Sequence, residues 1–422
     1  MLLSLTSYHY IIIFSITIII SYFFNLYAKK SGIPAVLMLI GLGVFINYGL
    51  RFSGIERPNL LPILEVIGVL GLILIVLEAA LDLKLVKEKI GLIVKSFLVA
   101  FLGLGGTAYL SALTLGFLMT VDLLNALLYT IPLSILSSAI ILPSIDDLDE
   151  SKREFMIYES TFSDILGIVG FYSVLTMIGS ASLEGVYGEV FGNLFLTILF
   201  SVIISYVLIY VFQNIKGHVK LFLLIAVLLL LYAVGKMFHL SSLIIILVFG
   251  VILNNYNVFF RGGLINLLVI ERVEEVLDDM KVVTAETAFV IRTFFFIIFG
   301  WSVSLGSLLN FKVLGIGLVI LAIIYIVRAL VLFVFTGRDI TPQLFLAPRG
   351  LITILLFFAI PDEMNVGLEF QGVLLFVILV SCLIMTLSLV AHKNKLPSTA
   401  LSEEDPFLKV DGASKEENPK NV

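Results

Sequence analysis

Residues 154–182 read EFMIYESTFSDILGIVGFYSVLTMIGSAS. The run is long enough to cross a bilayer, whose ~30 Å hydrocarbon core takes about twenty helical residues. Yet two carboxylates, Glu159 and Asp164, stand inside it. Asp164 lies ten residues after Glu154, which at about 1.5 Å per residue sets it ~15 Å deep, near the midplane. Ser160 and Thr161 precede it by four and three residues and share its helical face, while Glu159 and Ser163 share the adjacent one. A charge in hydrocarbon costs at least about 2.5–3.5 kcal/mol even on the lenient insertion scale. Hard cations such as Na⁺ take oxygen ligands. One serine here would be explained by helix packing; two acids and three hydroxyls at mid-bilayer point to a proton- or cation-binding site.

The rest of the chain reads the same way. Its 422 residues are 60% hydrophobic and only 14% charged, where a soluble chain carries roughly a quarter. Apolar runs divided by turn residues fall near 9–28, 35–52, 60–83, 90–119, 125–145, 154–182, 191–213, 221–238, 241–258, 285–308, 311–336, 343–361 and 370–392. Met1 to Tyr10 has no basic region, and the run from Ile11 to Ala28 has no small-residue cleavage site, so the first run is read as a span and not a processed leader. Cys382, the single cysteine, lies in the last run, which excludes disulfides from the architecture.

Basic residues set the orientation. With the N-terminus outside, eighteen Lys and Arg fall on the inside, including the tail, against four outside; the positive-inside rule gives N-out, C-in. Residues 264–281 place Val269, Val273, Val276 and Met280 among six charged residues and are expected to form an amphipathic helix at the cytoplasmic interface or against the bundle. The tail, 393–422, is polar and expected to be disordered.

Arg349 sits between Pro348 and Gly350 near the middle of the twelfth run. Both neighbours weaken a helix and free backbone groups that only a cavity or a partner can satisfy. The fifth run has a comparable break, Pro132 and Pro143 bracketing Ser134, Ser137 and Ser138. Taking 9–182 and 221–392 as two six-helix repeats joined by 191–213 makes the fifth and twelfth spans counterparts, and the odd linking span inverts the second half. Interrupted helices at matching positions of inverted repeats mark a transporter's binding site. The expected fold is therefore an all-α polytopic membrane protein of about thirteen transmembrane helices, with broken crossing helices at spans five and twelve.

Four segments then resemble the cation:proton antiporter superfamily, in its NhaP/sodium–proton-exchanger branch. Leu77-Glu78-Ala79-Ala80-Leu81-Asp82-Leu83 is similar to that branch's Phe-Glu-Gly-Gly-Leu-Glu-Leu. Glu159-Ser160-Thr161-Phe162-Ser163-Asp164 resembles its Glu-Ser-Leu-Leu-Asn-Asp signature. Arg292-Thr293-Phe294-Phe295-Phe296 to Gly300 resembles its Thr-Phe-Phe-Phe…Gly span, and Arg349-Gly350 its Leu-Arg-Gly motif, with Arg328 at the arginine of the preceding span. The resemblance covers the whole membrane region. It implies a core moving like an elevator against a dimerisation domain, hence a homodimer. It also implies Asp164 as the shared proton and cation site, Glu78 at the third-span glutamate, and Glu159 pairing with Arg349 to hold the core. Two departures stand out: Ser163 replaces an asparagine, and Ser137-Ser138-Ala139 replaces Thr-Asp-Pro, removing a carboxylate. Asp146 and Asp147, the next acids, fall in a loop.

The expected activity is secondary transport at a mid-membrane carboxylate in a multi-pass protein of the cell membrane. Protons exchange for a monovalent cation, Na⁺ foremost, with Li⁺ and K⁺ as alternatives. Asp164 carries the exchange, with Ser160, Thr161, Ser163, Ser137, Ser138 and Glu78 around it and Glu159, Arg328 and Arg349 as core charges. With Ser163 in place of a second acid, one proton per cation is expected, an electroneutral exchange. No cofactor and no nucleic acid enters; the partners are the ions and the lipid bilayer. A channel would want rings of pore-lining groups or a carbonyl filter, and neither is evident. His9, His218, His239 and His392 lie near span ends or in loops, away from any acid or cysteine at depth, which argues against an intramembrane enzyme. Another ion-coupled transporter, or a sensor derived from an antiporter, is the alternative.

Overall fold

The computed structural model describes residues 7–52, 61–145, 148–179, 186–215, 220–237, 242–302, 306, 308, 310–364 and 369–393. Among them every regular element is helical. The first half holds α1 (Ser7–Ser31), α2 (Ala35–Phe52), α3 (Leu61–Asp82), α4 (Ile90–Met119), α5 (Leu123–Ser134), α6 (Ser138–Ile141) and α7 (Glu150–Gly179). The second holds α8 (Val186–Asn214), α9 (Lys220–Met237), α10 (Ser242–Asn254), α11 (Tyr256–Phe259), α12 (Ile270–Ser302), α13 (Phe311–Thr336), α14 (Leu351–Phe358) and α15 (Glu369–Lys393). Eight helices among the described residues are long and apolar enough to cross a membrane, and shorter apolar helices accompany them. Each of the thirteen predicted runs contains helix. The tail beyond Lys393, and Asp146 and Asp147, lie outside the described residues.

The 264–281 segment buries Val273, Val276 and Met280 as an amphipathic helix against the bundle would, but its bounds are corrected. Residues 262–267 form a 3₁₀ turn, and from Ile270 one helix runs unbroken to Ser302, 33 residues. The expected interfacial helix and the tenth span are one element, about 50 Å long by helical rise. Its charged first third extends past the ~30 Å that an apolar helix must cover. No Gly or Pro stands between Glu271 and Arg292 to end it.

The helices sort into two packed groups. In one, α4 packs against α5, α7 and α13, with α13 against α15 and α14 against α5. In the other, α12 packs against α2 and α3, and α10 against α3, α8 and α9. The α2–α12 contact is close enough to require glycine on both helices. A Cβ on Gly43 would lie 2.0 Å from the Ile297 carbonyl, and one on Gly300 2.2 Å from that of Ile40. Small residues let two membrane helices approach backbone to backbone where no hydrophobic effect drives association. Lipid-facing sides stay apolar: Ile11, Ile12, Phe14, Phe117, Leu330 and Val334 are all exposed.

Candidate functional site

The site is built on two broken helices and one intact one. Pro132 lacks an N–H, and α5 ends at Ser134. Ile135 and Ser137 are extended, and α6 begins at Ser138. In the second half, residues 346–350 form no helix, and α14 begins at Leu351. The two breaks touch: the Ser137 N–H donates to the Pro348 carbonyl at 3.0 Å. A Cβ on Gly350 would stand 2.3 Å from Ser137 Oγ, so the crossing admits no side chain there.

Breaking a helix frees buried backbone groups, each of which needs a partner. Here α7 supplies them. Ser163 Oγ accepts from the Leu136 N–H at 2.9 Å, and Asp164 Oδ2 accepts from the Ser138 N–H at 3.4 Å. Asp164 is buried, and its second oxygen, Oδ1, has no hydrogen-bond partner among the described residues. The Thr161 hydroxyl is likewise buried without one. The Ser160 hydroxyl donates to the Met156 carbonyl of its own helix at 2.8 Å, leaving its oxygen free to accept. The structure thus brings Asp164, Ser163, Ser138 and Ser137 together at the crossing, with Ser160 and Thr161 a turn away on α7.

The core charges are not paired as expected. Glu159 receives two hydrogen bonds from Arg328, Nη1 at 2.6 Å and Nη2 at 3.1 Å. Arg328 completes its set on the Gln343 carbonyl through Nε at 3.0 Å and Nη2 at 2.8 Å. A planar guanidinium meeting a carboxylate with two bonds is the strong geometry for such a pair. Arg349 faces backbone instead: Nε donates to the Leu133 carbonyl at 2.6 Å and Nη1 to the Ala347 carbonyl at 3.2 Å. It therefore covers the Leu133 carbonyl freed at the C-terminus of α5, the end of a helix that favours a cation, and a carbonyl of its own extended segment. Its own N–H donates to Ser381 Oγ at 3.1 Å. The expected Glu159–Arg349 pair is corrected to Glu159–Arg328, because Arg349 lies on the extended segment against the end of α5.

Glu78 lines a cavity of about 610 Å³ between the two helix groups. It pairs with Arg292 Nη2 at 3.2 Å, α3 to α12. Asp82, Glu286 and Thr293 line the same cavity, and so does Ser138. Its wall is thus one hydrogen bond away from Asp164. The partner role of Arg292 was missed by sequence reasoning. The signal was present, since an acid and a base left over in separate spans must find partners at depth.

A search of curated protein sequences returns no match. Two solved structures of the sodium proton antiporter MjNhaP1 from Methanocaldococcus jannaschii share the fold. The one at pH 8 has a TM-score of 0.69 at 18% identity, covering 90% of this chain and 98% of that chain. The one from a three-dimensional EM map has a TM-score of 0.66 at 16% identity, covering 95% of this chain and 100% of that one. The family model described as sodium/hydrogen exchanger, transmembrane, matches residues 13–392. With nearly all of its membrane helices inside that match, the chain belongs to the sodium/hydrogen exchanger family.

Proposed function

We propose that Asp164 is the carrier in this multi-pass membrane transporter, whose family exchanges cations for protons: one carboxylate that holds either a proton or a monovalent cation, but not both. The observation that supports this most is its buried carboxylate with one oxygen satisfied by the Ser138 N–H and the other without a partner. A buried charge cannot stay unpaired at low cost, so the free oxygen calls for a proton or a cation. Ser138, Thr161, Ser160 and Ser163 supply the neutral oxygens around it, and Na⁺ fits an oxygen site of this kind. Li⁺ and K⁺ are the alternatives.

Competition for one site gives obligatory exchange: cation entry expels the proton, and proton entry expels the cation. With serines at 137, 138 and 163 and a single unpaired acid, the ratio is one proton per cation and the exchange is electroneutral. The large cavity brings ions from the end of the bundle that holds Pro34, Asp82 and Ser144. Charge asymmetry along the chain makes that end cytoplasmic. Glu78 is held by Arg292 and serves as a negative wall of the access path. Homodimer formation and residence in the cell membrane complete the reading.

The test is an ion panel in proteoliposomes carrying dyes for pH and for membrane potential. The expected outcome is cation-driven pH change for Na⁺, with no potential change and none of the pH response in Asp164→Asn. A potential that follows the cation gradient would rule out electroneutral exchange.

A further inference from the structure

The buried charges enclose a second, small cavity of about 20 Å³. Its walls include Thr107 of α4, Ser134 at the end of α5, Glu159 and Ser163 of α7, Arg328 of α13, and Arg349. All six side chains are buried. A cavity needs about 10–15 Å³ and two to four polar partners to hold a water molecule, and this one satisfies both conditions.

The hydrogen-bond inventory shows where such a water would sit. A guanidinium has five N–H donors and an ionised carboxylate about four acceptor sites. Arg349 spends two donors on the Leu133 and Ala347 carbonyls, so donors remain. Arg328 fills two acceptor sites on Glu159, so acceptors remain. The surplus donors and the surplus acceptors line one cavity, and Glu159 and Arg349 form no direct ion pair among the described residues. We propose that an ordered water occupies this cavity, accepting from the Arg349 guanidinium and donating to the Glu159 carboxylate. The two charges are then coupled through water and not by contact. That bridge ties α7 and α13 to the extended segment of the second broken helix, on the Ser163 side of the crossing.

The direct test is a structure of the full chain in a lipid nanodisc, at a resolution that shows ordered water. The expected result is a peak within about 2.7–3.2 Å of both groups. A cavity without a peak, or a direct Glu159–Arg349 contact, overturns the proposal.

Discussion

At the scale of single residues, the chain holds its buried charges by different means. Glu159 and Arg328 neutralise each other in a two-bond pair, and Arg349 is compensated by the Leu133 carbonyl at a helix end and by the Ala347 carbonyl. Breaking a buried pair by removing one partner strands the other, at a cost of about 3–5 kcal/mol, whereas replacing both by apolar residues can be neutral. Arg328→Met is therefore expected to lower the melting temperature sharply, and Glu159→Leu combined with Arg328→Met to recover most of the loss. Thermal unfolding in detergent measures both. Equal destabilisation by the single and double variants would show that the Gln343 carbonyl bonds matter more than the pair. Asp164 was legible in the sequence because a carboxylate in an apolar run has no cheap explanation. The partner of Glu159 was not legible: Arg328 and Arg349 are both far away along the chain, and spacing carries no information about which guanidinium a carboxylate meets.

At the scale of elements, the breaks in the fifth and twelfth spans announce themselves through Pro132, Pro143, Pro348 and Gly350. What the sequence could not show is how closely the breaks meet. Ser163→Ala removes the acceptor of the Leu136 N–H and leaves a buried donor unsatisfied, which costs about 1–3 kcal/mol. Gly350→Ala puts a methyl group against Ser137 Oγ, and overpacking of that kind costs about 1–3 kcal/mol. Both variants are expected to melt lower and to transport more slowly than wild type. Full transport by Gly350→Ala would mean that the crossing gives way without consequence. The continuity of α12 was hidden by its composition. Charges at Glu271, Glu274, Glu275, Asp278 and Asp279 read as a separate amphipathic helix, although nothing between 271 and 292 breaks one.

At the scale of the whole molecule, two helix groups flank a cavity whose charged lining is mostly acidic: Glu78, Asp82 and Glu286 against Arg292. Acid-lined clefts raise the local concentration of cations by about tenfold or more. Glu78→Gln removes one acid and frees Arg292 from its partner, so the KM for the cation is expected to rise about tenfold, with the maximal rate little changed. Transport rate against cation concentration in proteoliposomes checks this, and a loss of maximal rate at unchanged KM would place Glu78 in the carrier site itself. The division into two groups follows from packing between distant segments, which apolar periodicity does not encode.

In the proposed exchange a proton and a cation compete for the Asp164 carboxylate. The most direct measurement is proton release on cation binding: Na⁺ is added to the purified protein in weakly buffered detergent solution, and the protons released are counted per protein chain. The expected result is about one proton released for each Na⁺ bound in wild type and none in Asp164→Asn. Na⁺ binding without proton release, or undiminished release from Asp164→Asn, would contradict it.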